Sequence, residues 1–330
     1  MERAYSRRVF VERVAVLGGI SSFGGCVRIF RAPRVPHIGF LTGNLPSLVN
    51  AFTGELRRLG YVDGRNVIVE SRLQRPNSTD LVEQAAELAR MELDLIVAGA
   101  LPHALQVRKV NPRMPMVIAT CPDMVSNGFA ASLEHPGGIY TGIEELPPGV
   151  TARRLELLKA AAPGLSRVAL LSTTPGRGGH ERQLADAEHA ASRLAVTVRP
   201  YRATTSRELG EALDALVRDG MEGLVNFQGG LSLENRQRIV DFAAAHGRPA
   251  IYQSEFFVEA GGLMAWAPDQ EEQFREAARY VDRILRGAKP GDLPVRYPER
   301  YALILNTRAA GAIGLTLPPS LLAQAARVLQ

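Results

Sequence analysis

From Pro36 onward, apolar residues gather in short runs that alternate with stretches of helical period. His37-Ile38-Gly39-Phe40-Leu41 reads as a buried strand. The segment 45–59 reads as a helix with Leu48, Phe52, Leu56 and Leu59 on one stripe, stopped by Gly60. The same alternation predicts a strand over 66–71, a helix over 81–91, a strand over 93–98, a helix over 102–110 and a strand over 114–119. It begins again after residue 150, with helix 153–161, strand 168–171, helix 181–194, strand 196–201, helix 206–218 and strand 223–227. Helix 233–246, strand 250–252 and a short helix over 255–259 follow. Strands rich in Val, Ile and Leu at every position are buried on both faces, which calls for helices on both sides of a parallel sheet. Two such runs joined near 142–150 predict an α/β protein with two Rossmann-like lobes.

Ligands of open parallel sheets bind beyond the carboxyl ends of the strands, so candidate site residues can be read from what ends or follows each strand. On the first lobe they are Thr42, Asn44, Gly99, Ala100, Thr120 and Asp123. On the second they are Thr174, Asn226, Gln228, Tyr252, Ser254 and Glu255. Hydroxyls and amides would hydrogen-bond a solute, and Tyr252 would stack on it. Asp123 or Glu255 would meet a cationic or hydroxyl group, and main-chain N–H groups at Gly43 or Gly99 would hold a carboxylate. Asp123 and Glu255 also stand near helix starts, where capping gives a carboxylate a purely structural use.

Composition narrows the function. The 330 residues suggest about two domains, and 46% hydrophobic with 22% charged residues is globular usage. The formal net charge of +5 is concentrated at the start: residues 1–33 hold six arginines against Glu2 and Glu12. The remainder is nearly neutral, which argues against nucleic acid as a partner. Ser6-Arg7-Arg8-Val9-Phe10 precedes an uncharged run over 14–25, too short to span a bilayer. The segment reads as an export signal, of the twin-arginine or the general secretory kind. Gly24-Gly25-Cys26 offers a site for a lipid anchor. With that segment removed, Cys121 stands alone, so no intrachain disulfide is expected. There is no phosphate-binding Gly-x-x-x-x-Gly-Lys and no Gly-x-Ser-x-Gly in the body, and the six histidines lack metal-ligand spacing. The glycine run at 176–179 lacks the third glycine of a dinucleotide loop, position 181 being Glu181. No catalysis, no metal and no cofactor are therefore expected.

Four stretches carry a family resemblance. They are His37 to Leu41 through Gly60-Tyr61-Val62-Asp63-Gly64-Arg65-Asn66, and Ala131 to Gly138 followed by Thr141-Gly142. The others are Phe256-Phe257-Val258-Glu259-Ala260-Gly261-Gly262-Leu263-Met264, and Ile284 to Val295 with Gly314 to Leu321. Together they resemble the solute-binding proteins of ABC importers, in the group related to tryptophan- and other aromatic-ligand-binding lipoproteins. The resemblance implies a type I periplasmic binding-protein fold. Its expected division is lobe one over 34–143 plus about 268–293, and lobe two over 144–267 plus about 294–330. It also implies a periplasmic monomer that hands a small organic solute, aromatic or amino-acid-like, to a membrane permease. A periplasmic sensor feeding a signalling partner would share these features and stays open. Asp123-Met124 stands where the family often has Asp-Pro, and Ser172 to Arg177 differs from the family's usual loop, so the family's ligand is not carried over.

Overall fold

The computed structural model describes residues 34–75, 80–173, 178–227 and 229–330. The segment read as an export signal, with Arg7, Arg8 and Cys26, the loop residues Gly176 and Arg177, and the candidate residues Thr174 and Gln228 lie outside the described residues. Val35–Gln330 form one body.

Its first run is β1 (His37–Gly43), α1 (Pro46–Arg58), β2 (Ile68–Gln74), α2 (Leu81–Arg90), β3 (Leu95–Ala98), α3 (Leu101–Val110), β4 (Met116–Cys121) and β5 (Tyr140–Glu144). These strands form a parallel sheet in the order β2-β1-β3-β4-β5. Next come α4 (Val150–Ala161), β6 (Arg167–Ser172), α5 (Gly178–Leu194), β7 (Thr197–Arg202), α6 (Ser206–Arg218), β8 (Gly223–Phe227) and α7 (Gly230–Glu234). They are followed by α8 (Arg236–Ala245), β9 (Ala250–Tyr252), α9 (Glu255–Glu259), β10 (Met264–Pro268) and α10 (Gln270–Leu285). The chain ends with β11 (Tyr301–Asn306), α11 (Thr307–Ala312), α12 (Pro319–Leu322) and β12 (Arg327–Leu329). The second sheet has the order β12-β11-β10-β9-β8-β6-β7.

Burial explains the strands. All four residues of β3 and all six of β4 are buried, as the continuous apolar runs demand. The helix read over 233–246 is instead two: Asn235 leaves helical geometry and its side-chain amide donates to the Leu231 carbonyl at 2.9 Å. Among the described residues, no helix is long and apolar enough to cross a membrane.

Helix α10 crosses back to the first sheet. Its Phe274, Ala277, Tyr280 and Val281 are buried with Phe40 of β1 and Phe52 of α1. Its Arg279 donates to the buried Glu55 of α1 at 2.8 Å. The return path after α10 explains the one antiparallel pair, β10 with β11, in an otherwise parallel second sheet. The chain leaves that sheet after β10 and re-enters it beside the exit. The crossings are tied together there. Glu144 N–H donates to the Arg296 carbonyl at 2.8 Å, and the Tyr301 hydroxyl donates to the Glu145 carbonyl at 2.8 Å.

Two distant signature motifs meet in the first lobe. Gly137 N–H donates to the Gly291 carbonyl at 3.0 Å. A Cβ on Gly291 would stand 2.7 Å from the Gly138 nitrogen, so the close backbone approach requires glycine.

Candidate binding cavity

The carboxyl ends of the strands open on a cavity of about 450 Å³. That is within the usual range for a small-molecule site. The first sheet contributes the segment from Thr42 to Leu45, Gly99 and Ala100 after β3, and Thr120 and Pro122 at the end of β4. The second contributes Thr173 after β6, Thr204 after β7, and Gly229 to Leu231 with Leu233 and Glu234 around α7. Glu145 enters from the first crossing, and Gln270 and Phe274 from α10. Leu45, Leu48, Leu81, Leu101, Leu231, Leu233 and Phe274 make much of the wall apolar.

Five of the sequence candidates, Thr42, Asn44, Gly99, Ala100 and Thr120, line this cavity. The Thr120 hydroxyl donates to the Gly99 carbonyl at 3.0 Å, which aims its lone pairs away from that bond. Gly99 does not offer its N–H to a ligand carboxylate, because that group donates to the Leu41 carbonyl at 2.8 Å within the sheet. The glycine is needed for another reason. A Cβ there would lie 2.6 Å from Cβ of Thr42.

Five others lie outside the wall. Asp123 has φ of 62°, and its carboxylate accepts from Ser126 N–H at 2.9 Å, closing a turn. Asn226 is fully buried within β8, with both side-chain amide atoms unpartnered. Tyr252 is buried beneath the surface, and its ring stacks on Phe257 at 4.8 Å rather than on a solute. Ser254 caps α9 by accepting from Phe256 N–H at 3.3 Å. Glu255 pairs with Arg327 at 3.3 Å on the surface. The two carboxylates expected to meet a cation thus do local structural work.

Sequence reasoning passed over several polar wall residues, Glu145, His103 and Gln270 among them. Glu145 is 8% exposed, and its Oε1 has no hydrogen-bond partner. Burial pushes its carboxyl up to about 7, against the pull of Arg154. Arg154 of α4 is itself buried, which lowers it to about 10, and its Nε donates to the Trp266 carbonyl at 3.0 Å. His103 of α3 is pushed down to about 4 by burial, so its ring is neutral at pH 7. Gln270 is 5% exposed with an unpartnered Oε1. The adjacent pair Glu144-Glu145 at a lobe crossing was the available signal for the first of these. His103 and Gln270 carried none, His103 being a single polar residue in a helical stretch and Gln270 one of the consecutive polar residues over 269–273. Among the described residues, no group of three or more His, Cys, Asp or Glu is placed to hold a metal ion. Cys121 is buried, and burial raises its thiol well above the ordinary value, which makes it a poor nucleophile.

Two mostly parallel sheets, joined by crossings and sharing a cavity at their strand ends, define a type I periplasmic binding-protein fold. The chain belongs to the ABC transporter substrate binding protein family, whose model matches residues 44–329. It is similar to the tyrosine-binding protein of Clostridioides difficile strain R20291, with 24% identity over 273 residues, 82% of this chain and 78% of that one. A conserved domain protein of Vibrio cholerae superposes with a TM-score of 0.80 at 22% identity, covering 89% of this chain and all of that one. An ABC domain from Streptococcus pneumoniae in complex with L-Trp gives 0.79 at 22%, covering 89% and 99%.

Proposed function

We propose that this protein is the exported solute-binding component of an ABC importer and that it carries a free aromatic amino acid to a membrane permease. The observation that carries the reading is the cavity of about 450 Å³ walled by strand ends of both sheets. A solute touching both lobes favours the closed arrangement by its differential contacts. The leucine-rich wall suits an aromatic side chain, and the hydroxyls of Thr42, Thr120 and Thr204 with Glu145 suit a zwitterionic head. The relatives lend support: one is named for tyrosine, and another was solved with L-Trp. On this reading the protein works as a periplasmic monomer, without cofactor or turnover, after export directed by residues 1–33. The division into lobes at about 143, 268 and 294 places the three crossings at its hinge.

The test is native purification from the periplasm, mass spectrometry of the released solute, and calorimetry against the twenty amino acids. Tyrosine or tryptophan should bind at micromolar concentration, about 8 kcal/mol. Failure of every aromatic amino acid to bind below about 1 mM would sink the reading.

A further inference from the structure

Two oxygen acceptors in the cavity wall have no partner. Oε1 of Glu145 and Oε1 of Gln270 both belong to side chains more than nine-tenths buried, and both residues line the cavity. They come from different crossings that are tied to each other. The Tyr301 hydroxyl donates to the Glu145 carbonyl, Tyr301 stands opposite Pro268 in the β10–β11 ladder, and Gln270 follows two residues later. A buried carboxylate oxygen without a donor costs several kcal/mol unless something supplies one. The Arg154 guanidinium does not, since its Nη1 is also unpartnered and its Nε is bonded to Trp266. The neighbouring Glu144 shows the contrast. Its oxygens accept from Asp123 N–H at 2.7 Å, Met124 N–H at 2.8 Å and Arg182 at 2.8 Å.

We propose that Glu145, with Gln270 on the same cavity wall, reads the ammonium group of the solute, so that the site selects primary amines. An ammonium has three N–H donors and no acceptor, the complement of orphan oxygens such as these. The inference rests on the amino-acid reading of the cavity and names the residue that enforces it. Position matters too: the amine would be held on the crossings, where lobe movement is absorbed.

The test compares wild type with Glu145→Gln by calorimetry, using three kinds of probe. L-tyrosine and L-tryptophan carry both charges. Their desamino acids, 3-(4-hydroxyphenyl)propionate and indole-3-propionate, lack the amine, and tyramine and tryptamine lack the carboxylate. Wild type should favour the amino acids over the desamino acids, and E145Q should lose about 100-fold for the amino acids while binding the desamino acids no worse. Ligand-free E145Q should melt no lower than wild type at pH 8, because the orphan Oε1 makes no hydrogen bond that the amide would lose. A structural ion pair with Arg154 would instead show as a lower melting temperature, and that would overturn the proposal. So would amino-acid binding by E145Q within threefold of wild type. If wild type binds the amines but not the amino acids, and E145Q binds neither, the aromatic amino-acid reading fails while the inference stands. If no probe binds wild type, both fall.

Acid supplies a second readout. The groups around Glu145 are Arg154 of α4, Glu144 on its own segment, Tyr301 of β11, His103 of α3, and Glu234 and Arg236 across the cavity. With its carboxyl pushed up to about 7 by burial, amino-acid affinity should fall about tenfold for each unit below that pH in wild type, and stay flat in E145Q. A flat wild-type profile from pH 8 to 5.5 would count against the role.

Discussion

Replacing Gly99 by alanine tests whether the floor of the cavity is set by the packing of β1 against β3. Gly99 follows β3, and its N–H is held by the Leu41 carbonyl at 2.8 Å, so the backbone cannot simply drift. The new methyl would lie 2.6 Å from Thr42 Cβ and 3.1 Å from Thr42 Cα, and nearer still to the hydroxyl oxygen. Carbon atoms prefer roughly 3.5–4.0 Å, so about 1 Å of separation must be found. Thr42 is only 3% exposed and has little room to give it. Overpacking of this size costs about 1–3 kcal/mol. Thr42→Gly removes the Cβ and hydroxyl, leaving only the 3.1 Å approach, at a cost of its own of about 1 kcal/mol for glycine in a strand. The size-swapped double variant should therefore be less destabilised than the sum of the singles, by about 1 kcal/mol or more. Urea denaturation of ligand-free protein, followed by circular dichroism with a common slope, measures all three. Additivity within about 0.5 kcal/mol, or a neutral Gly99→Ala, would refute the packing argument.

Three further outcomes are expected. Glu55 is held down to about 2 by the hydrogen bonds from Arg58 and the one from Arg279, against an ordinary 4.5. Its contribution, up to about 3 kcal/mol, should be complete above pH 4.5 and lost as pH falls toward 2, so the stability gap between Glu55→Gln and wild type should close between pH 4.5 and 2 in urea titrations. Asp123→Ala and Glu255→Ala should leave affinity for the co-purified solute unchanged in calorimetry; the first should cost about 1 kcal/mol of stability through its lost turn bond, and the second less than about 1 kcal/mol as an exposed pair. Gly291→Ala should cost about 2–3 kcal/mol by forcing the 290–292 turn off Gly138, and a thermal melt within 1 °C of wild type would contradict that.

What could be read from the chain depended on whether a residue's environment is local. The Val, Ile and Leu runs of β3, β4 and β8 are legible because both faces of those strands are buried, and burial on both faces leaves no polar alternation to mislead. The first-lobe wall was legible for the same reason, since Thr42, Gly99 and Thr120 follow directly from where the runs stop. After β8 and β9 the rule points one step short. Asn226 and Tyr252 are opposite each other inside the β8–β9 ladder, and the wall begins only at Gly229, where the chain turns into α7. Helix α10 and strand β11 were harder still, because their partners lie across the crossings: Arg279 meets Glu55, 224 residues away. Glu144 and Glu145 make the limit plain. They are the same residue type, side by side, at the end of one strand. On an extended chain successive side chains point to opposite sides, so one is met by Asp123, Met124 and Arg182 while the other borders the cavity. Which of the two does which follows from the third crossing, where Tyr301 grips the Glu145 carbonyl from 156 residues further on. No pattern within the first 150 residues contains that information, and it is the fold that turns one of two identical carboxylates into a candidate for recognising a ligand.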